Sequence, residues 1–240
     1  MLPKPIKIWV SSAGPNPWKP VIICEELGLE VELELLSWKG LSSPEFKNVN
    51  PNGKVPVMYD PNTDIQIWES GAIVIYLIDQ YDTEKKLTYT TLPEKAAQYQ
   101  WIMFQMSQQG PYFGQLNWFR VLHAEKLPSA IDRYERQANR ILGVLDDALK
   151  DKDWLVGEKC TYVDLSYFMW NCVVAMTYPP EENPVSNFKN VTAWHERMAS
   201  REAVKKVLAT REDMMKADGL GADGLPTDIS LAELATKFNQ

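Results

Sequence analysis

The chain has 240 residues, 45% of them hydrophobic, and a formal net charge of −7 at pH 7, so nucleic acid and anionic membranes are poor partners. Three cysteines and two histidines, with no paired-cysteine motif, predict no metal site and reduced thiols typical of a cytoplasmic protein. No apolar run approaches the roughly 20 residues that span a bilayer, and the N-terminus lacks the charged-then-apolar pattern of a signal peptide.

The first eighty or so residues carry alternating strand and helix signals. Residues 6–10 alternate as a strand does, and a loop of small turn residues follows at 11–16. Proline is tolerated only in the first turn of a helix, so the two prolines after this loop place the helix start at Trp18 or Lys19, and Gly28 ends the helix. The further predicted elements are a strand at 31–36, a short helix from Ser43, strands near 55–59 and 64–67, and a helix from Glu69 to about Gln80.

The remainder of the chain carries only helical signals. Residues 83–91 are polar, charged and without periodicity, so we place a linker there, between a domain of residues 1–82 and an all-helical domain of residues 92–240. Gly110-Pro111 should kink or break the first long helix. The predicted helices cover residues 92–120, 129–150, 162–176, 190–198 and 201–212, followed by a loose linker at 218–227 and a short helix at 229–238.

Thr161-x-x-Asp164 has the form of a capping box at the start of an apolar helix. In such a box the threonine accepts from the third N–H of the helix, while the acidic side chain reaches back to the threonine N–H. We expect this box to serve folding and not chemistry.

The first domain contains the stretch with the most functional information. Asn50-Pro51-Asn52-Gly53 predicts a turn, and Pro56 cannot donate to a strand ladder. A proline at the start of a strand predicts a backbone kink, of which a cis peptide is one form. The main-chain N–H and C=O groups of Val55 would then face outward, where they could pair with an extended ligand.

The helix that follows offers an anion site beside this strand. Glu69 and Ser70 lie at its start, where unpaired N–H groups and the positive end of the helix dipole attract negative charge. An exposed strand edge beside such a helix start fits a short acidic peptide. The alternative is an ordinary turn, strand and helix that bind no ligand.

Two motifs of this stretch resemble the glutathione transferase superfamily, namely Asn50-Pro51-x-Gly53-Lys54-Val55-Pro56 and Glu69-Ser70-Gly71-Ala72-Ile73. The resemblance covers about residues 6–212. It implies the glutathione transferase fold, an α+β thioredoxin-like N-terminal domain followed by an all-α C-terminal domain. It also implies glutathione as co-substrate, no metal, and a homodimer.

A donor just after the first strand activates the thiol in this superfamily. Lowering the thiol pKa by about two units from about 8.5 makes most of it the reactive thiolate. The loop here has no tyrosine, and no cysteine that would imply glutathionyl-enzyme disulfide chemistry. Gly14-Pro15-Asn16 followed by Lys19 resembles the class of the yeast nitrogen-regulatory prion protein and its fungal and bacterial enzyme relatives.

In that class the asparagine amide faces the glutathione sulfur. Asn16 is therefore the first candidate and Ser12 the second, while a helix N-cap is the alternative for Asn16 and a plain turn the alternative for Ser11 and Ser12. Because an uncharged amide stabilises a thiolate less than a cation does, the conjugating activity is expected to be modest.

The resemblance also assigns the contacts of the peptide. Val55, held by Pro56, would pair with the cysteinyl main chain. Glu69 would bind the glutamyl amine, and Ser70 with its N–H group the glutamyl carboxylate.

The glycyl end of the site departs from the class pattern. The class often carries a basic or polar side chain before Pro44-Glu45-Phe46, where this chain has leucine and serines. Lys39 is a substitute, and Lys54 could reach the glycyl carboxylate, although an exposed surface lysine is an equally good interpretation of Lys54.

The second substrate is expected where the long helix faces the loop after the first strand. Gln109, Tyr112 and Phe113 are the candidates to line a pocket open to solvent, with a small apolar electrophile or a disulfide as the ligand. Core packing is the alternative for each aromatic residue.

The resulting hypothesis is a cytoplasmic glutathione transferase, whose thiolate attacks an electrophilic carbon, a disulfide or a peroxide. One alternative is a ligand-binding or regulatory protein with the same fold, and another is a glutathione-dependent lyase or isomerase. The regulator of this class carries a long polar extension before the fold. This chain starts almost at its first strand, which favours an enzyme.

Overall fold

The computed structural model describes residues 3–178, 182–229 and 233, without the side chains of residues 38, 39 and 175. The sheet and the helices of the first domain lie within residues 6–81. These elements are β1 (Ile6–Val10), α1 (Trp18–Leu27), β2 (Val31–Leu35), α2 (Trp38–Leu41), α3 (Pro44–Val49), β3 (Val57–Asp60), β4 (Ile65–Trp68) and α4 (Ser70–Tyr81).

From residue 92 onward, the regular elements of the described chain are helices. Its α-helices are α5 (Leu92–Phe104), α6 (Gly110–Asn117), α7 (Pro128–Ala148), α8 (Tyr162–Thr177), α9 (Lys189–Ala199) and α10 (Glu202–Ala217). This order confirms the predicted fold class, a mixed-sheet domain followed by an all-helical domain. The predicted strands and helices match within a few residues, whereas the exact domain boundaries around 83–91 stay a prediction.

The sheet has the strand order β2-β1-β3-β4. β1 and β2 are parallel and joined through α1, while β3 runs antiparallel to both β1 and β4. Trp9 of β1 lies opposite Val57 of β3. Because the pairing is antiparallel, Val55 lies beside the loop that follows β1, and this register brings two predicted site segments together.

One continuous apolar core joins the sheet to the helices. Alternate residues of β1, namely Ile6, Ile8 and Val10, are buried in the same core cluster as apolar residues of α1 and α4. α1 also packs against α8 and α10 of the helical domain, and α8 is apolar nearly all round. A site at the loop before α1 is therefore bordered by both domains.

The start of α8 confirms the predicted capping box. The Asp164 carboxylate accepts a hydrogen bond from the Thr161 N–H at 2.8 Å and another from the Thr161 hydroxyl at 2.9 Å. It also accepts from the Leu155 N–H and from the Trp194 indole, both at 3.0 Å. The box thus fixes the helix start and two neighbouring segments at once.

The long helix at residues 92–122 is irregular but continuous. Its α-helical turns are interrupted by π-helical turns at Gln105–Gln109 and Trp118–Leu122, and the Gly110 N–H donates to the Gln105 carbonyl. Pro111 has no N–H to continue the α-helical ladder, and the wider turn just before it accommodates this loss. The irregularity at Gly110-Pro111 is confirmed, in the form of a π-turn.

Residues 218–227 correct the prediction of a loose linker. The Gly221 N–H donates to the Leu225 carbonyl at 2.8 Å, and the Thr227 N–H to the Gly219 carbonyl at 3.0 Å. The segment folds back onto the loop after β1, with Gly224 close to Ala13. The predicted helix at 229–238 lies outside the described residues except at 229 and 233.

Within the described ranges, no helix is both long and apolar enough to cross a bilayer. The same residues contain no group of three or more histidine, cysteine, aspartate or glutamate side chains that could hold a metal ion.

Candidate functional site

Asn16 lies in the loop between β1 and α1 and contacts the helical domain. Its side-chain carbonyl oxygen accepts a hydrogen bond from the Trp170 indole Nε1 at 2.9 Å. An indole N–H can only donate, so this bond fixes which end of the amide is the oxygen. The Asn16 NH₂ group therefore faces away from Trp170, and no described residue accepts a hydrogen bond from it.

The position of Trp170 depends on two glycines of α6. A Cβ at Gly114 would lie 3.2 Å from the Trp170 ring, and one at Gly110 would lie 3.5 Å from its Nε1. No sequence motif links Trp170 to Asn16. The one local signal for its role is this pair of glycines four residues apart on a helix.

Ser12, the second candidate donor, has another partner. It is 3% exposed, and its hydroxyl donates to an oxygen of Asp218 at 2.5 Å. The Trp18 indole donates to the Ser12 carbonyl at 3.1 Å. Since its single hydroxyl proton is already engaged, Ser12 anchors the loop to the C-terminal segment, and the structure gives no support to a role as sulfur donor.

Val55 and Pro56 are joined by a cis peptide bond, which confirms the predicted form of the kink. Strand pairing begins only at Val57, and no described residue bonds to the Val55 N–H or C=O group. The preceding turn is held by the buried Asn50, whose amide donates to the Lys54 carbonyl at 2.7 Å. An unpaired piece of main chain thus lies beside the loop that follows β1.

The start of α4 lies next to this main chain. Glu69 precedes the helix with a φ of +75°, an unusual conformation for a residue with a side chain, and such strain costs on the order of 1–3 kcal/mol. Glu69 is exposed, Ser70 is buried, and no side chain caps the helix. Because strained backbone often marks binding sites, the open N–H groups here suit an anion.

Lys19 adds a buried positive charge beneath the start of α4. It is 1% exposed, and its Nζ donates to the Gln105 side chain at 2.7 Å and to the Ser70 hydroxyl at 3.4 Å. Burial lowers the pKa of Lys19 to about 7, and the nearby Glu69 carboxylate partly opposes this shift. The sequence contained a signal for it, since a lysine interrupts the apolar run of α1.

Of the two lysines predicted to bind the glycyl carboxylate, the structure describes the side chain of one. Lys54 is exposed, and no described side chain pairs with its ammonium group. The side chain of Lys39 lies outside the described part of the chain. The role of both stays a prediction.

Gln109 and Phe113 correct the predicted second-substrate pocket. Both have no exposed surface, and Gln109 instead bonds to the Gln105 and Asn171 side chains at 2.9 and 2.8 Å. Tyr112 is partly buried and packs against the Tyr134 ring, with 6.3 Å between centroids. The chain therefore uses these positions for its core and for the contact between α6 and α7.

A cavity of about 230 Å³ lies on a different side of this helix from Gln109, Tyr112 and Phe113. Gly114, Asn117 and Val121 line it, and their i, i+3, i+7 spacing defines one side of the helix. Ala13, Gly14 and Pro15 border it from the loop before Asn16, and its other walls include Trp170, Arg211 and Leu225. This cavity is the candidate second-substrate pocket, because it opens beside the Asn16 loop.

The three cysteines do not supply a nucleophile at this site. Burial raises the pKa of Cys172 to about 11 and raises the pKa of Cys24 and of Cys160 as well. A thiol with a raised pKa stays protonated and unreactive near neutral pH. The sulfur for any thiol chemistry must therefore arrive with the ligand.

Two family models match the chain. The model described as "Glutathione S-transferase, N-terminal domain" matches residues 10–85, and the one described as "Glutathione S-transferase, C-terminal domain" matches residues 111–202. A similar protein is "Glutathione S-transferase-like protein gedE" of Aspergillus terreus, 43% identical over 85% of this chain and 95% of that protein.

Solved structures with the same fold include the glutathione transferase URE2P8 from Phanerochaete chrysosporium with oxidized glutathione. It has a TM-score of 0.82 and 38% identity, over 89% of this chain and 97% of that one. Ure2p in complex with glutathione is also similar, with a TM-score of 0.78 and 32% identity over 85% of this chain and 98% of that one.

Proposed function

The chain belongs to the glutathione S-transferase family, and on this premise we propose that it is a glutathione transferase of the Ure2p type. It would activate the thiol of bound glutathione for attack on a small apolar electrophile, or for reduction of a disulfide or peroxide. The homologous structures bound to glutathione and to oxidized glutathione support the co-substrate.

The observation that carries this proposal is the orientation of the Asn16 amide. The Trp170 indole donates a hydrogen bond to the Asn16 side-chain oxygen, so the Asn16 NH₂ group remains to donate to a sulfur. A hydrogen bond to the thiolate favours the charged form and lowers the thiol pKa. Asn16 is therefore proposed as the activating residue, with Trp170 as a positioning residue and Ser12 as an anchor of the loop.

The peptide would lie along the unpaired main chain at Val55. There the cysteinyl N–H and C=O would complete the hydrogen bonds that the cis Val55-Pro56 segment leaves open. Ser70 and the open N–H groups of α4 would hold the glutamyl carboxylate, with Lys19 beneath them. Glu69 would bind the glutamyl amine.

Lys54 and Lys39 remain the proposed partners of the glycyl carboxylate. The lysine side chain is long enough to follow a flexible peptide end, and each would contribute as a partly solvated charge of about 1 kcal/mol or less. The cytoplasmic location expected from the sequence also stays a prediction.

A homodimer is proposed from the surface of α5. Leu92 is 82% exposed, Tyr99 46% and Met103 54%, and their spacing places all three on one side of the helix. Exposed apolar side chains clustered in this way favour a protein partner. A second copy of the chain is the partner that the family resemblance implies.

The alternative function is a ligand-binding or regulatory protein. The similarity to Ure2p favours it, because the same fold and peptide site would serve a protein that turns over nothing. Such a protein would bind glutathione and its conjugates through the groups described here.

The experiment that tests the proposal measures glutathione binding by calorimetry and turnover with an aryl halide and with a disulfide. Asn16→Ala is compared with wild type, and Asn48→Ala, at an exposed position of α3, is the matched control. We expect Asn16→Ala to keep glutathione affinity within about threefold but to lose about ten- to hundredfold in kcat/KM.

Unchanged rates in Asn16→Ala would show that Asn16 is not the activator. Tight glutathione binding by the wild type without turnover of either substrate would favour the ligand-binding alternative.

A further inference from the structure

Arg211 is a buried cation that the protein leaves largely unpaired. It lies on α10 and is 7% exposed. Its Nη2 donates to the Ala13 carbonyl at 2.9 Å, while Nε has no hydrogen-bond partner. No described carboxylate lies within 4.0 Å of the guanidinium. Burying such a charge without a counter-ion is costly, so its retention requires an explanation.

Two other arginines, Arg201 and Arg120, have the carboxylate partners that Arg211 lacks. Arg201 makes two hydrogen bonds to Glu26 at 2.5 and 2.8 Å. Arg120 pairs with Glu135 at 2.6 Å and with Glu182 at 2.8 Å. The absence of a carboxylate at Arg211 is thus a local feature of its surroundings.

Two acidic groups of this region, Asp218 and Asp223, bond to other partners. Asp218 accepts the hydroxyl of Ser12, and Asp223, which borders the same cavity as Arg211, is exposed and accepts the Leu225 N–H at 3.0 Å. Neither neutralises the guanidinium. Arg211 borders a cavity whose other walls are mostly apolar.

This cavity is also the one that borders the loop of Asn16 and the Trp170 ring. A ligand that fills it can have one end near the site of the activated sulfur and the other at the guanidinium. Planar guanidinium groups bind carboxylates through two parallel hydrogen bonds, which makes the contact both strong and selective.

We propose that Arg211 anchors a carboxylate of the second substrate. The preferred substrate class is then a small molecule with an apolar body, an electrophilic carbon or disulfide sulfur at one end, and a carboxylate at the other. The inference rests on the proposed transferase function, and it narrows the substrate that the cavity would select. Arg211 acts in binding and takes no part in bond making.

The test uses two aryl halides of the same substitution pattern, a chloronitrobenzoate and the corresponding chloronitrobenzamide. In each reaction the glutathione thiolate forms a bond to the aromatic carbon, and chloride leaves with the electron pair. The ratio of kcat/KM for acid over amide is measured in wild type, Arg211→Met and Arg211→Lys. Arg133→Met, at an exposed position of α7, is the matched control.

We expect the ratio to fall about ten- to hundredfold in Arg211→Met, the value of a charged hydrogen bond of about 1.5–3 kcal/mol. Arg211→Lys should recover part of it, and Arg133→Met should keep the wild-type ratio. Comparing ratios removes the different intrinsic reactivity of the two halides. An equal loss with both substrates in Arg211→Met would overturn the proposal.

A binding measurement separates this inference from the proposed function. The glutathione conjugates of the two halides are titrated into wild type and Arg211→Met, which requires no turnover. Selective weakening of the carboxylate conjugate supports the anchor even in a protein that catalyses nothing. Equal affinity of Arg211→Met and wild type for that conjugate would refute it.

Discussion

Two buried charges of the helical domain, Asp164 and Arg211, are treated in opposite ways. Asp164 has no exposed surface and accepts four hydrogen bonds, from two main-chain N–H groups, one hydroxyl and one indole. Arg211 is nearly as buried but donates one hydrogen bond, to a loop carbonyl. The first charge completes the fold, whereas the second is left for a ligand.

The surroundings of Asp164 and the proposed ligand site differ in the same way, in whether their polar groups are paired. The Asp164 carboxylate and the four donors that contact it are paired with one another. At the proposed glutathione site, the Asn16 NH₂ group, the Val55 main chain and the first N–H groups of α4 have no partner among the described residues. Main-chain and amide groups that the protein leaves unpaired in one region are available to a polar ligand.

The largest expected effect comes from removing the fully paired charge. Asp164→Ala leaves buried donors on Thr161, Leu155 and Trp194 without an acceptor and should lower the free energy of unfolding by about 3 kcal/mol or more. Chemical denaturation measures this loss, and Asp132→Ala, at an exposed position of α7, is the control. A loss below about 1 kcal/mol would mean that the two buried charges do not differ as described.

The next effect concerns the pH dependence of peptide binding at Lys19. With its pKa lowered to about 7, Lys19 is protonated below that pH and loses its charge above it. Affinity for an anionic peptide should therefore fall by up to about tenfold as pH rises from about 6 to about 8. S-hexylglutathione is the probe, because it has no thiol that titrates.

Lys19→Gln should remove this pH dependence, while Lys152→Gln, an exposed lysine, should retain it. The same slope in Lys19→Gln and wild type would exclude Lys19 as the group that titrates. This comparison sharpens the contrast, since the hydrogen-bond partners of the buried Lys19 ammonium group are all neutral.

The smallest expected effect is the loss of one donor from the Asp164 box. Thr161→Ala removes the hydroxyl bond to Asp164 but leaves the three other donors in place. The free energy of unfolding should fall by about 1 kcal/mol, the usual cost of losing such a cap. An unchanged denaturation midpoint would show that the hydroxyl contributes nothing beyond the main-chain bonds.

Local patterns predicted the fold well, because strands, caps and turns are determined by neighbours in sequence. The alternation of residues 6–10 predicted β1, and the prolines at 17 and 20 predicted the start of α1. The Thr161-x-x-Asp164 pattern predicted the start of α8. Pro56 likewise indicated the kink before β3.

The side of α6 that faces the cavity could not be predicted in this way. The π-turn at Gln105–Gln109 adds a residue to one turn and rotates the helix that follows, so Gln109 and Phe113 point into the core while Gly114 faces the cavity. The bonds of Ser12 to Asp218 and of Arg211 to Ala13 join residues far apart in sequence. No local pattern contains such pairs.

The most direct test of the account is the thiol pKa of glutathione bound to the protein, followed through the ultraviolet absorbance of the thiolate as pH is varied. We predict that the wild-type complex has a pKa at least about one unit below the ordinary thiol value of about 8.5, and that Asn16→Ala returns it close to that value. Asn48→Ala should match the wild type. An identical pKa in wild type and Asn16→Ala would contradict the central claim that the unpaired Asn16 amide is the group that activates the sulfur.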